Sequence, residues 1–142
     1  MKNQFDHEKL DVYHVELRFI SWVTPLLEAI KTSGAPRTAE LSDQLDRASL
    51  SALLNTAEGN GKRQQRVRAK AFDDARGSAT ECAACLDAAV AKKACAAERV
   101  EEGKELLFRI VSMLTKLVQR FEEEGNLRED QIEYRINDEP TM

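Results

Sequence analysis

The chain is poor in the residues that build specialised scaffolds. Three cysteines in 142 residues are too few for a disulfide framework, and no apolar run approaches the roughly 20 residues that a bilayer crossing needs. Prolines stand only at positions 25, 36 and 140, which leaves long stretches free of helix breakers. Runs of Val, Ile and Thr alternating with polar residues are missing, so strands are not expected. No Gly-rich phosphate loop, HExxH, nucleophile elbow or spaced metal-ligand set occurs, so neither catalytic residues nor a cofactor or metal are expected. The opening MKNQFDHEKL lacks the apolar stretch of a signal peptide. A protein of the reducing cytoplasm, without a membrane partner, is the expectation.

What is present is 42% hydrophobic and 32% charged, with a net charge of -4. A chain of this length closes around one core, burying about 70% of its unfolded surface. The charge is unevenly placed. Residues 121 to 142 hold eight carboxylates against Arg128 and Arg135, so this end carries -6 and the remainder +2. Four helical segments are expected, at roughly 8–32, 38–60, 64–92 and 97–124, separated by Ser33-Gly34-Ala35-Pro36, by Gly59-Asn60-Gly61 and by the stretch near Lys92-Lys93. Short connections favour antiparallel neighbours, which predicts an all-α, up-down four-helix bundle over residues 1–124 and a mobile acidic tail over 125–142.

The first two helices each carry more than one apolar stripe. On helix 1, Val12, Val15, Phe19, Trp22 and Leu26 form a core seam. Leu10, Tyr13, Leu17, Ile20 and Leu27 form a second, and Asp11, His14, Arg18, Ser21 and Glu28 form the wet face between them, where Pro25 also falls. On helix 2, Leu41, Leu45, Ala48 and Ala52 make one seam, while Leu50, Leu53, Leu54 and Ala57 lie largely on the other side. Surplus apolar surface of this kind marks an interface, so Leu10, Tyr13, Leu17, Ile20, Leu50 and Leu54 are expected to meet another copy of the chain. The plainer alternative consumes both faces within one bundle.

Helix 3 is built from small residues, with twelve alanines between Ala69 and Ala97, and its seam runs Ala71, Ala75, Ser78, Cys82, Cys85, Ala89. Helix 4 offers Leu107, Ile110, Leu114, Leu117 and Phe121, flanked by Val111 and Val118, and large against small fills a core. Gly77 inside helix 3 costs about 1 kcal/mol relative to Ala, which points to a close crossing or an exposed backbone.

The stretch Gln44-Leu45-Asp46-Arg47-Ala48-Ser49, then Ser51, Asn55, Ala57-Glu58-Gly59 and Gly61-Lys62-Arg63, resembles the second helix and turn of the 23S rRNA-intervening-sequence protein family. Ala75-Arg76-Gly77-Ser78-Ala79-Thr80-Glu81 resembles its third helix at the matching distance, and Phe5 with Leu10-Asp11-Val12-Tyr13 fits its first. Ala52, Leu53 and Thr56 depart from the family pattern. The resemblance implies a left-handed antiparallel bundle that assembles as a homopentamer without enzymatic activity. It is similar also to the accessory protein of diversity-generating retroelements, which implies nucleic acid and a reverse transcriptase as possible partners.

The motif residues have a physical reading of their own. Gln44, Arg47, Ser51, Asn55 and Glu58 recur at three- and four-residue steps and form a polar strip beside the helix 2 seam, as Ser78 and Glu81 do beside that of helix 3. Arg47 with Glu58 or Glu81, and Asn55 with Ser78, are expected to satisfy one another and fix helix register. A catalytic pair of Glu58 and Glu81 is the less favoured reading, since no His, nucleophile or metal cluster accompanies it. Cys82-Ala-Ala-Cys85 lacks further zinc ligands and a preceding strand, so these thiols read as core, and His7 and His14 read as solvated.

Lys62, Arg63, Arg66, Arg68, Lys70 and Arg76 place six positive charges within fifteen residues, against Asp73 and Asp74. Repeated around a ring of copies, such a cluster could hold a phosphate backbone. No interleaved aromatic residues offer a stacking platform, and Phe72 reads as core. Two function classes follow: a nucleic-acid-binding accessory protein, or a protein-binding or structural oligomer.

Overall fold

The computed structural model describes residues 3–137, with side chains as far as 128. Four helices occur among the described residues and no strand: α1 (Asp11–Lys31), α2 (Thr38–Gly61), α3 (Gln65–Ala91) and α4 (Ala97–Asn137). A 3-10 turn over Asp6–Lys9 stands where helix 1 was expected to begin. Each helix packs on its neighbour in chain order, and α1 closes the circuit on α4. No described helix is long and apolar enough to cross a membrane.

The helix ends have local causes. Gly34 at φ 84° and Arg37 at φ 58° turn the chain between α1 and α2. α3 stops because Lys93 takes the left-handed conformation, φ 63°, while the amide of Ala94 donates back to the carbonyl of Ala89 at 2.9 Å. This is a glycine-type helix stop made by a lysine.

α4 departs from the expected end at 124 and continues to Asn137. Gly125, one residue past that expected end, is buried; a Cβ there would come within 3.1 Å of Arg66 Cγ, so its bareness admits the start of α3. Arg120 pairs with Glu124 at 3.2 Å one turn apart, which supports the helix across this region. The first part of the acidic segment is therefore helical backbone, and residues 138–142 lie outside the described residues.

The core follows the seams closely. Val12, Val15, Phe19 and Leu26 are buried with Val23 and Ile30 on α1, and Leu45, Ala48 and Ala52 on α2. Small Ala75, Ala79, Cys82 and Ala89 of α3 face large Leu107, Ile110, Leu114 and Phe121 of α4, all buried. Phe72 stacks on Phe121 with ring centres 5.6 Å apart. Trp22 is only half-buried and lies over Gly103 of α4, where an added Cβ would fall 2.1 Å from the indole. Gly59 is the second close approach: a Cβ there would meet Ala71 Cβ at 2.9 Å. Gly77 marks no crossing. It is exposed with nothing near its missing side chain, so the exposed-backbone reading is the one that applies.

Candidate interaction surface

Bonds between α2 and α3 set the register of the polar strip. Ser51 Oγ and Ser78 Oγ lie 3.0 Å apart, and the Asn55 amide donates to the Ser51 carbonyl at 3.0 Å and to its Oγ at 3.1 Å. The Gln44 amide donates to the Glu81 carboxylate. Ser51, Asn55, Ser78 and Glu81 are thus brought together at the α2/α3 seam, although Asn55 reaches Ser78 through Ser51 rather than directly.

Arg47 and Glu58 stand apart from this network. Both are exposed and neither makes a hydrogen bond or ion pair among the described residues. They cannot pair with each other, because eleven residues of helix separate them by about 16 Å. The same register puts Glu58 level with Ala71 and Glu81 level with Gln44, so the two carboxylates are also far apart along the bundle and form no acid pair.

Beside Arg47 and Glu58 the apolar side chains are open. Leu50 is 50% exposed and Leu54 53%, and both line a shallow groove of about 370 Å³ with Arg47, Ser51, Asn55 and Glu58. On α1, Leu17 is 39% exposed, while Leu10, Tyr13 and Ile20 are half-buried. A bond from Thr56 to Glu16 and one from Ser42 to the Leu27 carbonyl fix the α1/α2 register and place Leu17 and Ile20 at the level of the α2 leucines. Phe108, exposed at 74% between Lys104, Glu105 and Arg109, is a further apolar residue on α4 that the sequence reading passed over. Its position next to the Leu107 seam, out of phase with it, is the available signal.

The basic cluster is dispersed by internal contacts. Arg68 is half-buried, lies 4.3 Å over the Phe121 ring and donates to Asn60 at 3.2 Å. Lys70 pairs with Asp74 at 3.2 Å. Arg76 pairs with Asp73 and donates to Thr115 at 3.3 Å. Arg66 donates to Asn126 at 3.3 Å. Lys62 and Arg63, at the α2–α3 turn, remain exposed with no partner among the described residues.

Among the described residues one carboxylate is buried, and the sequence did not single it out. Glu16 lies in the core at 2% exposure, with Thr56 Oγ 2.9 Å from its Oε2 and nothing bonded to Oε1. Burial pushes its pKa up to about 8, opposed by the Thr56 bond. The order Val12, Glu16, Phe19, Val23, Leu26, Ile30 puts it in phase with the core, which was its signal. Burial likewise pushes the Cys82 thiol up to about 12, with the neighbouring Cys85 and Glu81 adding to it, and raises Cys85. These are inert core thiols rather than nucleophiles. No group of three or more His, Cys, Asp or Glu side chains among the described residues is placed so that it could hold a metal ion.

A search of curated proteins returns no match. A family model does match, over residues 8–116, and that span takes in both polar strips, the Gly77 turn of α3 and the two open leucines. With four helices in place and that match covering most of its length, the chain belongs to the 23S rRNA-intervening sequence protein family.

Proposed function

We propose that this protein is a non-enzymatic, self-associating bundle whose working unit is a homo-oligomer. The observation that carries this reading is the pair of half-exposed leucines, Leu50 and Leu54, beside Arg47 and Glu58, which have no partner among the described residues. Large apolar residues gathered on one face and rimmed by charge are what an association surface requires. An up-down, antiparallel bundle within each copy is supported by paired contacts whose numbers run in opposite directions: Glu16 with Thr56 and Leu27 with Ser42, Gln44 with Glu81 and Ser51 with Ser78, Arg76 with Thr115 and Asp87 with Lys104. Five copies per assembly is what the family resemblance implies.

The molar mass in solution tests this. Light scattering at micromolar concentration is expected to give a multiple of the 16.0 kDa chain mass, and Leu54→Asp is expected to lower that multiple. A monomer at every accessible concentration overturns the reading.

A second reading, contact with nucleic acid, is favoured by Lys62 and Arg63, which lie open at the same turn in every copy. A cyclic assembly would repeat them around one end and concentrate their field there. The contact would be to phosphates rather than bases. A gel shift with structured RNA and duplex DNA is expected to show binding that weakens steeply with salt; no shift at about 50 mM salt removes this reading.

A further inference from the structure

A ring that closes on itself needs two surfaces, because each copy offers one face to a neighbour and receives another. The open leucines of α2 provide one. For the second, Phe108 stands out: at 74% it is the most exposed large apolar side chain among the described residues. Lys104 reaches Asp87 of α3, and Thr115 accepts from Arg76 of α3. Phe108, four residues after the first and seven before the second, shares their stripe and so stands on the α3/α4 side. Leu50 and Leu54, with Leu17 and Ile20 of α1 at their level, occupy the α1/α2 side. Since the four helices pack in a closed circuit, these two sides lie opposite each other. An apolar knob on one side and an apolar groove on the other suit a head-to-tail contact between copies.

The charges agree with such a contact in order as well as in sign. Glu105 stands three residues before Phe108 and Arg109 one after it, and neither has a partner among the described residues. On α2, Arg47 stands three residues before Leu50 and Glu58 four after Leu54, equally without partners there. In the antiparallel bundle α2 and α4 run the same way, and rotation about a ring axis preserves that direction from copy to copy. Along it the knob reads negative, aromatic, positive, and the groove reads positive, apolar, negative. We propose that Phe108 of each copy enters the groove between Leu50 and Leu54 of the next, with Glu105 toward Arg47 and Arg109 toward Glu58. With the aromatic ring between the leucines, Glu105 falls about 3 Å from Arg47 along the helix and Arg109 about 7.5 Å from Glu58, distances that long side chains span. The reverse direction would set Glu105 toward Glu58 and Arg109 toward Arg47, which is repulsive. Within one copy the Ser51–Ser78 and Arg76–Thr115 contacts put Phe108 level with Asp46, about 9 Å from the middle of the leucine pair. The copies therefore incline to the ring axis by about 25° across a bundle about 20 Å wide, an angle within the range of packed helices. Knob and groove of one copy engage different neighbours, so the contact closes rings of odd number, five included.

This rests on the self-association reading and is separable from it by mixing variants. Phe108→Asp removes the knob and Leu54→Asp spoils the groove; both positions are exposed, so helicity by circular dichroism should stay unchanged. Each variant alone is expected to sediment as the 16.0 kDa chain. In an equimolar mixture the intact Phe108 of the Leu54→Asp chain meets the intact groove of the Phe108→Asp chain. That makes one contact and no ring, so the mixture is expected to sediment at twice the chain mass, with one copy of each variant. Glu105→Lys is expected to raise the concentration needed for assembly about five-fold, and Glu105→Lys/Arg47→Glu to bring it back. A wild-type monomer would overturn both proposals. A wild-type assembly that Phe108→Asp leaves intact, or two monomeric variants that fail to combine on mixing, would leave self-association standing and overturn the Phe108 contact. A double charge variant no better than Glu105→Lys alone would overturn the pairing of Glu105 with Arg47.

Discussion

Replacing Glu16 by Gln should make the protein more stable at neutral pH, although it removes a hydrogen-bonded side chain from the core. Thr56 Oγ lies 2.9 Å from Glu16 Oε2 and 3.0 Å from the Ala52 carbonyl. Thr56 donates toward both acceptors, and its bond to Oε2 favours the carboxylate, but burial outweighs it. This agrees with a folded pKa of about 8 against 4.5 for the free side chain. A group whose pKa is raised on folding binds more protons in the native state, so its contribution is complete below pH 4.5 and is lost as pH rises through 8. At about 1.4 kcal/mol per pKa unit, wild-type stability should fall by roughly 3 kcal/mol between pH 5 and pH 8. The side-chain carbonyl of Gln can accept from Thr56 as the Glu16 oxygen does, and the amide cannot ionise. Urea unfolding at fixed protein concentration should therefore show the variant within about 1 kcal/mol of wild type at pH 5 and roughly 3 kcal/mol more stable at pH 8. A wild-type stability flat over that range, or a variant weaker than wild type at pH 8, would refute the reasoning.

The same chemical change should have opposite signs at two glycines. Gly77→Ala fills open solvent in mid-helix and should add up to about 1 kcal/mol, whereas Gly103→Ala drives a methyl into the Trp22 ring and should cost about 1–3 kcal/mol, both read from thermal unfolding. Lys93→Gly should raise the melting temperature, because relieving a left-handed non-glycine residue gains about 1 kcal/mol; an unchanged or lower value would show that the lysine side chain compensates. Lys62→Ala/Arg63→Ala should weaken phosphate binding and flatten its salt dependence by about two in slope, while Lys70→Ala, whose charge is already paired with Asp74, should change it less.

Fold class and most of the core were legible because hydrophobic spacing is a local property. Val12 to Leu26 and Leu107 to Phe121 announce their faces whatever surrounds them. The end of α4 was not legible, since Gly125 breaks an isolated helix but here yields room to Arg66, a residue some sixty positions away in sequence. Glycine roles stayed open for the same reason: Gly77 could mark a crossing or an exposed backbone, and only the place of Trp22 puts the crossing at Gly103 instead. The polar strip was found, but its pairings were partly misassigned. Arg47 and Glu58 were matched by charge, whereas the distance along one helix forbids that match within a chain. The basic cluster was overcounted because neighbours such as Asp74, Phe121 and Thr115 absorb charges that composition treats as free.

The contact between Gly125 and Arg66 also fixes where α4 leaves the body of the molecule. It does so at the end that bears Lys62 and Arg63, and from residue 129 onward the chain carries five carboxylates against one arginine. By sequence, then, a polyanion drawn to the two cations also meets a net negative charge on the same chain. Cutting the chain back to Arg128 should therefore speed such an encounter, most visibly in dilute buffer, where screening is weakest.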